Sequence, residues 1–144
     1  MFRRILLVCT GNVCRSPVAA ILWRRHAAAG VDVRSAGLAA LVGEPIDPRA
    51  LRVLRRHGLH DDGHRARQLA RAMLHEADLV LAMEQAHLLG VTRMAPEATG
   101  RACLLGRWLA SREIPDPYRG EMDDFERVHR SIAECVESWQ SHLG

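Results

Sequence analysis

Apolar positions along the chain switch between two periods, and the switches divide it into alternating strands and helices. Ile5-Leu6-Leu7-Val8 is a short, bounded apolar run that reads as a buried strand. Pro17 suits the first turn of a helix, with Ser16 as its N-cap. That helix is expected to run to about Ala29, with Arg24-Arg25-His26 near its negative end and Gly30 as terminator. Val31 to Ser35 alternates as a second strand. Asp47-Pro48 opens a helix that Gly58 closes, and a further helix follows Gln68 through Leu69, Met73 and Leu74. Asp78–Met83 and Ala102–Leu105 read as strands three and four, with a short helix from Glu84 to Leu89 between them. In the final helix, about Asp123 to His142, the residues Phe125, Val128, Ile132, Cys135, Val136, Trp139 and Leu143 recur at three and four and form one packing stripe.

Repeated strand–helix pairs with right-handed crossovers imply strands that run parallel. The predicted fold is α/β: one domain over residues 1–144, an open parallel four-stranded sheet with helices on both faces, Rossmann-like or flavodoxin-like. Such sheets bind ligands at the carboxyl ends of their strands, which is where the first strand delivers Cys9. Ala36 to Ile46 has no period and contains Gly37, Gly43 and Pro45, so it is a loop. Its Leu38, Leu41 and Val42 either tuck into the core or wall a pocket mouth.

Five residues separate Cys9 from Arg15 in Cys9-Thr10-Gly11-Asn12-Val13-Cys14-Arg15-Ser16-Pro17. They are enough to curl the backbone so that successive N–H groups point inward and, with the positive end of the following helix, form an anion cradle. Gly11 and Asn12 are residue types that tolerate the left-handed angles such a loop requires. A cysteine at the focus of inward amides and a helix dipole is in a setting that favours thiolate over thiol. Ser16 is placed to donate its hydroxyl to that sulfur. Arg15 carries a planar fork able to hold two phosphoryl oxygens at once. Thr10, Gly11, Asn12, Val13, Cys14, Arg15 and Ser16 are therefore the candidate phosphate-binding residues, with Cys9 on the floor as nucleophile.

Composition narrows the setting. No apolar run approaches the ~20 residues needed to span a bilayer, and the N-terminal apolar run is too short for a signal peptide, so a cytoplasmic protein without direct membrane insertion is expected. The net charge of +3 comes without a basic block or interleaved aromatics, which argues against nucleic acid as partner. All 20 basic residues are Arg, as codon bias in a GC-rich genome or selection for phosphate binding would produce. Four cysteines at these spacings suggest neither a disulfide scaffold nor a zinc knuckle, and no metal or other cofactor is expected. Cys103 and Cys135 read as small core hydrophobes. Arg49, Arg52 and Arg56 share a helix face that is either solvated or a dock for an acidic or phosphorylated tail.

The run Val8–Pro17 resembles the signature of the low-molecular-weight protein tyrosine phosphatases: a Cys, five residues, Arg, then Ser or Thr near the N-terminus. The likeness extends over nearly the whole chain. Ser35-Ala36-Gly37-Leu38, Leu41-Val42-Gly43, Met94-Ala95-Pro96-Glu97 and Ile114-Pro115-Asp116-Pro117-Tyr118-Arg119 look like the bacterial subgroup associated with exopolysaccharide export. Eukaryotic members carry an aromatic where this chain has Leu41, and an aliphatic wall stacks less selectively on a substrate ring.

The resemblance implies hydrolysis of protein phosphotyrosine through a cysteinyl-phosphate intermediate. Cys9 and Arg15 would act with Asp116, the carboxylate of the Asp-Pro-Tyr loop, as general acid and then as base toward water. Arg15 and the loop dipoles would supply the charge stabilisation that a metal gives elsewhere. The same resemblance places Ser35 and His64 behind the loop, bonded to Asn12, and sets Leu41 and Tyr118 as pocket walls. It implies a reversible Cys9–Cys14 disulfide that shields Cys9 from over-oxidation. Its implied partner is a phosphotyrosine protein, by analogy a membrane-anchored tyrosine autokinase in capsule or exopolysaccharide production, with inorganic phosphate as product and inhibitor. Two alternatives share the loop chemistry: a thiol redox enzyme like arsenate reductase, and a non-catalytic phosphoprotein-binding module.

Overall fold

The computed structural model describes residues 2–61 and 63–143. Its elements follow the predicted alternation: β1 (Arg4–Cys9), α1 (Arg15–His26), β2 (Asp32–Gly37), α2 (Pro48–Arg56), α3 (Arg71–Glu76), β3 (Leu79–Ala82), α4 (Gln85–Met94), a 3-10 turn at Pro96–Arg101, β4 (Ala102–Leu104) and α5 (Met122–Leu143). The four strands form one sheet in the order β2-β1-β3-β4, and every pairing is parallel. This is the single-domain α/β architecture expected. Side chains alternate across the strands, and both faces are covered. Ile5, Leu7, Val33, Leu79 and Leu81 pack under α1, α2 and α5, whereas Leu6, Val8, Ala36 and Val80 pack under α3 and α4.

Several details differ from the sequence expectation: β2 takes in Ala36 and Gly37, expected in the loop, because they pair with Val8 and Cys9, and Leu69 lies ahead of α3, its N–H given to Gly37 C=O. Ser16 does not cap α1. Cys14 occupies the N-cap without a side-chain bond, and the Ser16 hydroxyl is turned to the Cys9 sulfur instead. α1 ends at His26, three residues before Ala29, because Ala27 is already extended and β2 begins pairing at Asp32. α4 continues to Met94 rather than stopping near Leu89, since Val91 and Ala95 are fully buried on the sheet and draw the helix on. Leu143 leaves the α5 stripe at 39% exposure, beyond the reach of the sheet, while Phe125 through Trp139 are buried as expected. Asp47 does cap α2, accepting from Arg49 N–H, and Gly58 takes the left-handed angle that ends it.

Candidate active site

The sheet order places the ends of β1 and β3 side by side. The turn after β1 therefore faces Glu84, two residues past the end of β3, at the carboxyl edge predicted to bind ligands. The turn itself is defined by where its carbonyls go. Cys9, Thr10 and Gly11 C=O accept from Leu38, Ala39 and Leu41 N–H, each at 3.0 Å. Asn12 C=O accepts from His64 Nε2 at 2.7 Å, Val13 C=O from Asp47 N–H at 2.9 Å, and Cys14 C=O from Val18 N–H at 3.4 Å. Six consecutive carbonyls thus point out into protein donors. In a planar trans peptide the next N–H is antiparallel to its carbonyl, so the amides of Thr10 through Arg15 point the opposite way, into the ring. Aimed amides at a helix start are an anion site.

Asn12 holds the curl. It alone among non-glycine described residues has a positive φ, +60°, whereas Gly11 needs no such angle. Fully buried, its side chain donates to Ser16 Oγ at 2.8 Å and Ser35 Oγ at 3.0 Å, and accepts from Arg67 N–H at 2.8 Å. Ser35 reaches Asn12 by its hydroxyl and His64 by the ring. Because a carbonyl only accepts, His64 carries a proton on Nε2, while burial holds the imidazole below its ordinary pKa. Gly37, the last residue of β2, lies so close that a Cβ there would overlap the Thr10 carbonyl oxygen.

Cys9 Sγ sits on the ring floor at 2% exposure, 2.9 Å from Ser16 Oγ. Arg15, also 2% exposed, donates through Nη1 to Glu84 Oε2 and to Ile114 C=O, both at 2.8 Å. Its Nη2 is 3.7 Å from Asp116 Oδ2. A cavity of about 180 Å³ opens above the sulfur, lined by the loop residues Cys9 to Arg15 and by Ala39, Leu41, Asp116 and Tyr118. Asp116 and Tyr118 are half-exposed at its rim, and Asp116 Oδ1 accepts from Tyr118 N–H at 3.0 Å, which tightens the Pro-Asp-Pro-Tyr turn. Leu41 walls the mouth, Leu38 is tucked against α4, and Val42 faces solvent. The two readings of this loop thus divide residue by residue, and its main chain contributes most through the donors to the ring.

Four residues missed by sequence reasoning complete the site. Glu84 braces Arg15; the signal for it was position, since the segment that leaves β3 must lie beside the turn after β1. His87 bonds Thr10 Oγ1 at 2.9 Å, and Arg67 lends its N–H to Asn12. Arg49 donates to Tyr118 C=O at 2.7 Å and Gly120 C=O at 3.0 Å, tying α2 to the Asp116 loop. Arg49 is thus occupied, and Arg56 pairs with Glu126, so Arg49, Arg52 and Arg56 do not form a free docking face.

Among the four free thiols only Cys9 and Cys14 line the cavity. Burial, then the carboxylates of Asp47 and Asp116, push the Cys14 thiol far above the usual thiol range. Burial also raises Cys135, to about 11, on the packed face of α5. Cys103 is half-buried, 3.3 Å from Arg107 Nη1, away from the cavity.

A cradle of amides over a buried sulfur, a guanidinium fixed from behind and a carboxylate across the mouth is what comparison with known proteins can decide between. The profile of the low molecular weight phosphotyrosine protein phosphatases matches residues 4–144. The chain belongs to that family. The chain is 44% identical to the Escherichia coli K12 low molecular weight protein-tyrosine-phosphatase Etp, covering 99% of this chain and 95% of the relative. It superposes on the crystal structure of the tyrosine phosphatase Wzb from Escherichia coli K30, in complex with sulphate, with a TM-score of 0.96, 42% identity and full coverage of both chains. It also resembles the YwlE arginine phosphatase from Geobacillus stearothermophilus, with a TM-score of 0.90 and 32% identity over 97% of this chain and 92% of that one. As a member of the family the chain is a protein-tyrosine-phosphatase. None of its described helices is long and apolar enough to cross a membrane.

Proposed function

We propose that this phosphatase hydrolyses protein phosphotyrosine through a phosphocysteine on Cys9. One observation carries the reading: Cys9 Sγ, the Arg15 guanidinium and the Asp116 carboxylate converge on one cavity whose floor is a ring of inward amides. The Cys9 sulfur attacks phosphorus in line while the loop amides and Arg15 hold the three equatorial oxygens, the charge stabilisation on which phosphoryl transfer depends. Asp116 gives its proton to the leaving tyrosyl oxygen, then takes one from the water that attacks phosphocysteine and releases phosphate. Ser16 donates to the sulfur as it leaves, and Asn12, Ser35 and His64 keep the ring curled. Leu41 and Tyr118 flank the substrate ring. Inorganic phosphate is then both product and competitive inhibitor, in keeping with the sulphate held by the Wzb crystal structure.

The physiological substrate we propose is a membrane-anchored tyrosine autokinase in exopolysaccharide or capsule production, acted on from the cytoplasm. Support comes from the likeness to Wzb and Etp. We further propose that oxidation joins Cys9 reversibly to Cys14, the second thiol lining the cavity. A relay through Cys103 and Cys135, as an arsenate reductase would use, has no support, since neither lines the cavity. The test is hydrolysis of matched phosphotyrosine and phosphoarginine peptides, together with the tyrosine-phosphorylated kinases of the same genome. Release of phosphate from phosphotyrosine and from one kinase is expected. Preference for phosphoarginine, the activity named for YwlE, would overturn the substrate assignment, and absence of turnover would leave only a phosphoprotein-binding module.

A further inference from the structure

His87 is 3% exposed and takes no part in the steps above. Its two nitrogens have different partners, and together these fix its protonation. The N–H of Glu84 donates to His87 Nδ1 at 3.1 Å, so Nδ1 carries no hydrogen. The ring proton is then on Nε2, 2.9 Å from Thr10 Oγ1, and the threonine oxygen accepts it. A hydroxyl that accepts from the ring turns its own hydrogen elsewhere, and Thr10 lines the cavity above Cys9. The charged groups around the imidazole are Arg15 on α1, Glu84 at the start of α4, and Glu113 and Asp116 on the loop before α5. Burial, reinforced by Arg15, keeps the ring neutral against the pull of the three carboxylates.

We infer that His87 is a positioning residue for phosphoryl transfer: its Nε2–H turns the Thr10 hydroxyl into a donor toward the bound phosphoryl group, and its Nδ1 fixes the Glu84 backbone from which the carboxylate braces Arg15. This rests on the phosphatase reading. A second proton on His87 would set N–H against N–H at Glu84 and break that tie, while Nε2–H would still donate to Thr10.

Long-range nitrogen–proton NMR of the wild-type imidazole, with kinetics and phosphate titration of variants, tests this. The Nε2–H tautomer is expected at pH 7. His87→Leu lowers kcat about tenfold, the scale of one well-placed hydrogen bond, and weakens inorganic phosphate binding by a similar factor; His87→Gln, which can again donate to Thr10, recovers most of both losses. Thr10→Val lowers kcat similarly, and the double variant is no worse than either single one. An Nδ1–H or charged ring at pH 7, or independent effects of the two substitutions, would overturn the inference. Should His87→Leu fail to fold, the wild-type tautomer and the His87→Gln kinetics decide. Should the wild type hydrolyse no phosphate ester, the phosphatase reading fails, while phosphate affinity across the same variants still reads the coupling.

Discussion

Replacing Asn12 by alanine removes three hydrogen bonds, two of them buried, and leaves a Cβ residue at φ +60°. Ser16 Oγ keeps its Cys9 contact, so the groups left without their partner are Ser35 Oγ and Arg67 N–H. Each orphaned group costs about 1–3 kcal/mol, and the left-handed backbone costs alanine about 1–2 kcal/mol more. The total is roughly 3–8 kcal/mol, enough to open the ring in preference to keeping the strained curl. Asn12→Gly loses the same bonds without the backbone strain. Its freer unfolded chain takes back about 0.4–1 kcal/mol, leaving glycine ahead by roughly 1 kcal/mol. Urea denaturation and kcat/KM toward an aryl phosphate, run on both variants, should show Ala worse than Gly in each, and Ala down by at least about 100-fold in kcat/KM. If Asn12→Ala matched Asn12→Gly, or stayed within about twofold of wild type, the claim that the Asn12 side chain holds the ring would be wrong.

Asp116→Asn should slow hydrolysis of poor phenolate leaving groups far more than activated ones; a flat leaving-group series would remove its role as acid. Gly37→Ala should lower stability and turnover together, because the added methyl meets the Thr10 carbonyl, and thermal melts beside kinetics would show it. Burial, then His57 stacked on it, lowers His129 to about 4, so its neutral form stabilises the fold fully above the unfolded value near 6.5. That stability falls as pH drops toward 4, by about 3 kcal/mol in all, and His129→Phe should flatten the acid limb of a pH–stability curve. Because Cys14 is held as a thiol, peroxide-driven closure onto Cys9 should accelerate with pH without levelling in the neutral range, as peptide mapping at several pH values would report.

The architecture could be read because Ile5–Val8 and Leu79–Met83 are short unbroken apolar runs, as strands covered on both faces must be, and because the α5 stripe repeats at the helix period. Cys9, Asn12, Arg15 and Ser16 were legible for another reason: they lie within eight residues of one another, and one local turn decides where they point. Glu84, His87 and Arg67 reach the same site only through the neighbouring of β1, β2 and β3 and the bridge from Gly37 to Gln68, a juxtaposition that no local pattern encodes. Ser16 shows how a sound local rule is overridden. Its residue type favours a helix cap, but the hydroxyl has a stronger demand from Cys9 and Asn12. Arg49, Arg52 and Arg56 were legible as a face and illegible as partners, since the loop carbonyls that occupy Arg49 lie some seventy residues away along the chain.

In the proposed reaction the Cys9 sulfur is the atom that receives the phosphoryl group. Rapid acid quench of the Asp116→Asn variant with an aryl phosphate, followed by mass analysis of its peptides, tests that directly. One phosphoryl group on the peptide bearing Cys9, lost in Cys9→Ser, is the predicted result; label on any other residue, or turnover that persists in Cys9→Ser, would contradict it.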